Sequence, residues 1–213
     1  MKKSILFISV LMVSASSYAQ SERYLSAMKA NITAMDTSFK NPQNLLTLAN
    51  NFERIAMAEK NQWLPYYYAA MCQVNYSYME QDKSKVDAIA DKATSLINIA
   101  DSLRPENSEV SCIRSMIAGS HMMVDPMQRY MTYGPESSAQ LEKAMQQDTT
   151  NPRPYFLKGQ GLKYTPEQFG GGCKTAVVLL QAAMEKYAAF KPEMELSPNW
   201  GMQRTEMLLK ECK

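Results

Sequence analysis

The chain contains one histidine, His121, in the stretch GSHMMVDPM, and metal or acid–base chemistry would have to start from it. Imidazole and thioether groups suit a soft ion such as Cu(I), so Met122, Met123 and Met127 are compatible with a copper site. One histidine at a helix end is nevertheless a sparse ligand set, and no pair of cysteines or histidines has the spacing of a zinc site. We therefore predict no metal and no cofactor.

Catalytic motifs have equally little support. A Ser-His-Asp or Cys-His site would have to use His121, and the sequence contains no G-x-S-x-G. The stretch FGGGCKT has the glycines of a phosphate-binding loop, but Cys173 stands where such a loop needs a glycine before Lys174. We predict a flexible turn into a helix at this point, and a protein that is not an enzyme.

The N-terminal stretch MKKSILFISVLMVSASSYAQ has the pattern of a secretory signal peptide. Two lysines precede an apolar run from Ile5 to Val13, and small residues end at Ala19. We predict a signal peptide over 1–19, cleaved after Ala19, and a mature domain over 20–213; a retained N-terminal anchor is the alternative. The apolar run is too short to span a membrane, so a periplasmic or secreted protein is expected, not an integral membrane protein.

The net charge of the mature chain is close to zero. Removal of Lys2 and Lys3 from the 23 basic residues leaves 21, which equals the 21 acidic residues. A balanced chain has no electrostatic preference for nucleic acid or for anionic lipid, so we predict no nucleic-acid partner.

The four cysteines form an even set, which permits disulfide bridges in an exported protein. Three pairings are possible, and we favour Cys173 with Cys212, because both lie in the C-terminal third. Cys72 and Cys112 lie in apolar helical patterns and are expected to be buried free thiols.

A helical stripe of small and large side chains recurs along the chain and indicates repeated helix pairs. In each copy two small residues lie seven positions apart, on one face of a helix, and the copies follow one another at 44, 44 and 39 residues. The four copies are Ala49, Phe52 and Ala56; Ala93, Ile97 and Ala100; Ser137, Leu141 and Ala144; and Ala176, Leu180 and Ala183.

Helix-start and helix-stop signals divide the chain into pairs. Asn41-Pro42, Asn151-Pro152 and Ser197-Pro198 each place a capping side chain before a proline, as at the start of a helix. No stretch sustains a period of two, so we predict an all-α chain. The first helices are predicted over 21–37, 64–80, 108–124 and 152–163, the second over 42–59, 84–103, 135–147 and 172–190, and a closing helix over 198–211.

The stripe with its following proline resembles the tetratricopeptide repeat. The matching residues are Ala93, Ile97, Ala100 and Pro105 in one helix and Tyr155, Gly159 and Leu162 in the next first helix. The resemblance implies a right-handed solenoid of about four helical hairpins with a C-terminal capping helix, whose first helices line a concave face. The period exceeds the 34 residues of this repeat, which makes HEAT-type repeats the alternative. The proline–asparagine unit endings argue against them, because Asn107 and Asn151 recur seven residues beyond Ala100 and Ala144.

The inner sides of the first helices would then form a binding surface. Tyrosines, methionines and amides there suit adaptable recognition of a peptide, with Asn75, Gln160 and Lys163 orienting it. We predict an exported scaffold that binds a protein or peptide on its concave face; the alternative is a periplasmic small-ligand-binding protein, accessory to a transporter. The predicted contact residues are Tyr24, Met28, Asn31, Tyr68, Asn75, Tyr76, Met116, Phe156, Gln160, Lys163 and Tyr164.

Overall fold

The computed structural model describes residues 22–35, 37–38 and 40–213, and the predicted signal peptide lies outside the described residues. The described residues form nine α-helices and one short 3₁₀-helix, Glu167–Phe169, with no β-strand among them, so the prediction of an all-α chain is confirmed. The helices are α1 over 22–35, α2 Pro42–Ala58, α3 Trp63–Met79, α4 Lys83–Leu103, α5 Ser108–Met122, α6 Pro126–Gln147, α7 Arg153–Tyr164, α8 Cys173–Ala189 and α9 Met202–Glu211.

Side-chain caps explain where several helices begin. The Oδ1 atoms of Asn41, Asp82 and Asn107 accept hydrogen bonds of 3.0, 3.1 and 2.9 Å from backbone amides in the first turns of α2, α4 and α5. Asn151 Oδ1 likewise accepts from the amide of Arg153 at 2.9 Å. Each cap satisfies an amide that has no partner within its helix, and the caps at Asn41 and Asn151 were predicted from the sequence.

The repeated stripe lies in the core. Its alanines are buried in α2, α4, α6 and α8, and Phe52, Ile97, Leu141 and Leu180 are buried beside them. Gly159 of α7 shows how close neighbouring helices come, because a Cβ atom there would lie 2.9 Å from the side chain of Leu180. Small residues at these positions therefore let consecutive helices approach one another.

The start of α6 differs from the sequence prediction. The segment from 125 to 134 was expected to separate two helices, but α6 begins at Pro126 and contains Pro135. The earlier start is explained by Asp125, whose Oδ1 accepts a 3.2 Å bond from the Gln128 amide, and by Pro126, whose fixed φ suits a first helical turn. Pro135 removes one backbone donor, and Ser137 holds the helix to α5 by a 3.1 Å bond to the Ser115 carbonyl.

The closing helix also starts later than predicted. Ser197-Pro198 does not open a helix; α9 begins at Met202, after Gly201, whose φ of 104° lies in the left-handed region. Residues 190–201, which we call the crossing segment, form an irregular connection between α8 and α9. Their carbonyls bond to side chains from distant helices instead of to a helix of their own, which is why the local signal failed.

Each described helix from α2 onward packs against the next one along the chain. In addition α3 contacts α5, α5 contacts α7 and α7 contacts α9, whereas no comparable contact joins α2 with α4 or α4 with α6 in the described part of the chain. The odd-numbered helices α3, α5, α7 and α9 therefore contact one another in turn, and we call the side that they form the inner face.

The crossing segment lies across this inner face. Its Leu196 is buried in the main core and accepts a 2.8 Å bond from Tyr68 of α3 through its carbonyl. The indole of Trp200 donates a 2.8 Å bond to the hydroxyl of Tyr67, and Glu195 pairs with Lys29 of α1 at 2.7 Å. A segment of the chain itself thus covers part of the surface that was predicted to receive a partner.

A disulfide joins Cys173 at the start of α8 to Cys212 after α9, as predicted, and Cys72 and Cys112 are buried free thiols. The bridge holds α9 against the last helix pair. None of the described helices combines the length and the apolar character that a membrane crossing requires.

Candidate functional site

His121 links three helices. Its Nδ1 lies 2.8 Å from Oδ1 of Asp87 on α4, and its ring stacks on Tyr133 of α6 with centroids 5.1 Å apart. Arg129 donates to both oxygens of the same carboxylate, at 2.7 and 2.9 Å, and these bonds lower the pKa of Asp87 to about 2. The described residues contain no group of three His, Cys, Asp or Glu side chains suited to a metal. His121 therefore has structural partners that account for its position.

Several of the predicted contact residues are buried in the structure. Met28, Tyr68 and Phe156 belong to the core, and Tyr68 is only 2% exposed because the crossing segment lies over it. This burial corrects the expectation that these three side chains face a partner. The physical reason is that a large apolar residue on an inner face packs against any segment that covers it.

The other predicted contact residues lie at or near the surface, mostly with intramolecular partners. Tyr24 has a buried hydroxyl without a hydrogen bond among the described residues, and burial raises its pKa to about 12. Lys163 pairs with Glu211, and the hydroxyl of Tyr164 accepts a 2.8 Å bond from Arg204. The remaining five, Asn31, Asn75, Tyr76, Met116 and Gln160, are partly buried.

A depression lies elsewhere, at the edge where consecutive helix pairs meet. We call it the edge cleft; it has a volume of about 800 Å³. It opens between the ends of α4, α6 and α8, the starts of α3, α5 and α7, and the crossing segment. Its lining residues are Trp63, Arg104, Glu106, Asn107, Ser108, Glu109, Gln147, Asp148, Thr149, Thr150, Asn151, Tyr155, Glu185, Lys186, Ala189, Phe190, Lys191, Glu193, Ser197 and Pro198.

Aromatic rings and cations come together in the edge cleft. Trp63, Tyr155 and Phe190 contribute rings from three different elements. Arg104, Lys186 and Lys191 contribute positive charge, and five carboxylates also line the cleft: Glu106, Glu109, Asp148, Glu185 and Glu193. Lys186 extends over the ring of Tyr155, with Nζ 4.5 Å from the centroid, and donates a 2.6 Å bond to the carbonyl of Thr149. Flat apolar surfaces beside cations suit a planar ligand that carries carboxylates.

A buried ion pair lies beneath the cleft. The side chain of Glu109 is 13% exposed and that of Arg153 is not exposed, and their Oε1 and Nη1 atoms are 2.9 Å apart. Asn151 and Tyr67 donate further bonds of 2.7 and 3.0 Å to the same carboxylate. Burial raises the pKa of Glu109, with Arg153 and these donors acting in the opposite direction. The floor of the cleft is therefore a fixed polar network.

Sequence reasoning did not find this cleft. It did identify Asn107 and Asn151 as recurring unit endings, and both line the cleft. That recurrence was the available signal, because equivalent turns of stacked helix pairs lie along one edge. The convergence of Trp63, Lys186 and Phe190 on the same place has no local signature.

Comparison with solved structures shows a relative that resembles this chain over most of its length. The chain is similar to the HusA haemophore from Porphyromonas gingivalis, with 38% sequence identity and a TM-score of 0.80, over 89% of this chain and 92% of that chain. The chain belongs to the family of the HusA haemophore. Because both chains are covered almost in full, the likeness to the HusA haemophore extends over the helical array as a whole. No family model matches the chain, and no curated protein matches it.

Proposed function

We propose that this protein is an exported, non-enzymatic carrier that binds haem in the edge cleft. The observation that carries the proposal is the 38% identity to the HusA haemophore over nearly the full length of both chains. A haemophore carries haem, and relatives this similar over their whole length commonly keep the ligand class. The signal-peptide pattern of the first 19 residues fits a protein that works outside the cytoplasm.

The chemistry of the edge cleft supports haem as the ligand. Haem is a flat, largely apolar ring with two propionate groups, and it needs apolar walls together with cations. The cleft supplies both, and its volume of about 800 Å³ lies within the usual range for small-molecule sites. Trp63, Tyr155 and Phe190 would contact the ring, and Arg104, Lys186 and Lys191 are placed to pair with the carboxylates.

The finer architecture is part of the same proposal. We infer a right-handed solenoid of tetratricopeptide type, with four helical hairpins from α1 to α8 and α9 as the cap. It is supported by the successive packing of neighbouring helices, by the contacts among odd-numbered helices, and by the buried alanine stripe.

Titration of the mature protein with hemin, followed in the Soret band, tests the function. We expect saturable binding with one haem per chain, accompanied by quenching of tryptophan fluorescence. The double substitution Lys186→Glu and Lys191→Glu should weaken binding, because it places negative charge beside the propionates. Lys174→Glu is the matched control, since Lys174 is exposed at the opposite end of α8.

The two measurements test the haem-binding function and the location of the haem site separately. Absence of saturable hemin binding by the wild-type chain would refute the carrier proposal. Binding that the double substitution leaves as strong as in the Lys174→Glu control would place haem outside the edge cleft.

A second candidate function is recognition of a peptide or protein by the uncovered part of the inner face. It is favoured by the exposure of Tyr164, which is 59%, near the partly buried Gln160 and Lys163. Affinity capture from a periplasmic extract tests it, with Tyr164→Ala as the comparison. Capture of one protein that the substitution abolishes would support it, and equal capture by both forms would count against it.

A further inference from the structure

Arg153 has the most connected side chain near the edge cleft. It is fully buried, and its Nη1 atom donates bonds of 2.9 Å to Glu109 and 3.2 Å to Asn151. Its Nη2 atom donates to the backbone carbonyl of Pro198. Its guanidinium also lies over the rings of Phe190 and Trp200, 4.7 and 5.5 Å from their centroids. One planar group therefore contacts Trp200 together with four other residues, which are Glu109, Asn151, Pro198 and Phe190.

These four residues all line the edge cleft, but they come from opposite sides of it. Glu109 and Asn151 belong to the start of α5 and the turn before α7, whereas Phe190 and Pro198 belong to the crossing segment. We propose that Arg153 is a positioning residue that fastens the crossing segment to the α5–α7 side and thereby sets the shape of the ligand cleft. The consequence for ligand binding rests on the proposed haem-carrier function; the fastening itself does not.

The fork geometry of arginine explains the choice of residue. A guanidinium presents donors in two directions from one rigid plane and stacks on aromatic rings, whereas a lysine ammonium is a flexible point charge. Arg153 uses one side of the fork for Glu109 and Asn151 and the other for Pro198. A lysine at 153 would keep the charge beside Glu109 but would not reach both partners at once.

A further contact holds the middle of the crossing segment without Arg153: the carbonyl of Leu196 accepts a hydrogen bond from Tyr68. Trp200 is held by Tyr67, whose hydroxyl also bonds to Glu109. Loss of Arg153 should therefore loosen the cleft wall without releasing the whole segment or unfolding the helices. Dissociation of a bound ligand would then accelerate, while association, which the exposed cations Arg104 and Lys191 promote, would change little.

Three variants of the full mature chain test this inference. Arg153→Lys keeps the charge and removes the fork, and the double substitution Glu109→Gln with Arg153→Met removes both buried charges, so that no unpaired ion is left inside. Arg114→Met is the control, because it removes an ion pair with Asp101 that lies away from the cleft. Hydrogen exchange of peptides covering 190–200 is measured without ligand, and hemin association and dissociation are followed by stopped flow.

We expect faster exchange over 190–200 in the first two variants, with peptides from α2 to α4 unchanged, and no change in the control. Hemin dissociation should accelerate roughly tenfold, the size expected for the loss of one hydrogen bond to a charged group, at an unchanged association rate. Unchanged exchange over 190–200, or exchange that rises equally throughout the chain, would overturn the positioning role. If the wild-type chain bound no hemin, the carrier proposal would fall, and the exchange data would still decide whether Arg153 fastens the crossing segment.

Discussion

The hydroxyl of Tyr68 donates a 2.8 Å hydrogen bond to the backbone carbonyl of Leu196, which lies 128 residues further along the chain. Both residues are buried, so the bond fixes the crossing segment on the inner face. The chain itself therefore covers part of the surface that the sequence predicted to receive a partner, and the edge cleft remains accessible as a candidate site.

Substitution of Tyr68 by phenylalanine tests how much this hydrogen bond contributes to the stability of the fold. The change removes one hydroxyl and leaves the Leu196 carbonyl buried without that donor. We expect the free energy of unfolding, measured by urea denaturation, to fall by roughly 1–3 kcal/mol. Tyr130→Phe is the control, because Tyr130 is exposed and has no hydrogen bond among the described residues. Equal stability of the two variants would show that the crossing segment does not depend on Tyr68.

The disulfide between Cys173 and Cys212 should stabilise the C-terminal end of the protein. It spans 39 residues, and a loop of this length is expected to contribute about 4 kcal/mol through the entropy of the unfolded chain. Replacement of both cysteines by serine should therefore lower the free energy of unfolding by roughly 2–4 kcal/mol. Alkylation of the unfolded protein without reductant should modify two cysteines, Cys72 and Cys112. Modification of all four would contradict the bridge.

The pair of Asp87 and Arg129 predicts a dependence of stability on pH. Hydrogen bonds from Arg129 and His121 lower the pKa of Asp87 to about 2, below the value in an unfolded chain. The pair therefore stabilises the fold fully above about pH 5, and this contribution is lost as the pH falls through about 2. Because the carboxylate side chain is 39% exposed, solvent screening limits its contribution to roughly 1 kcal/mol or less.

Arg129→Met checks this dependence. The variant should unfold more easily than the wild-type chain at pH 7, and the difference in unfolding free energy should shrink between about pH 4 and pH 2. Lys85→Met, which removes the exposed pair with Asp82, is the control and should have little effect. If the difference in unfolding free energy between the wild-type chain and Arg129→Met stayed constant down to pH 2, Asp87 would be ruled out as the titrating partner.

The composition of the edge cleft predicts how iron contributes to binding. Haem iron in proteins is usually held by His, Cys, Met or Tyr, and the described lining residues contain no His, Cys or Met. Binding should therefore depend on the ring and the propionates, and iron-free protoporphyrin should bind within about tenfold of hemin, a difference of at most about 1.4 kcal/mol. Fluorescence titration measures this directly.

Tyr155 provides the control for that prediction, because its hydroxyl is a potential iron ligand in the cleft. Tyr155→Phe keeps the ring and should bind hemin nearly as well as the wild-type chain. Tyr155→Ala removes the ring and should weaken the binding of both hemin and iron-free protoporphyrin. A large loss for hemin alone in Tyr155→Phe would show that the phenol coordinates the iron.

The sequence by itself determined the helical composition, most helix boundaries and the buried stripe. These features depend on residues within one or two turns of each other. Asn41 and Asn107 cap the helices that follow them, and Ala93 and Ala100 lie on one face because of the helical period alone.

The tertiary structure decided the rest. Ser197-Pro198 has the local pattern of a helix start, yet Tyr68 and Arg153 bind the carbonyls of Leu196 and Pro198 and keep the segment out of a helix. The edge cleft likewise combines Trp63, Tyr155 and Phe190, which no sequence period connects. Contacts between residues so far apart depend on how helices stack and where a connection crosses them, so local patterns predict the elements but not the site they form together.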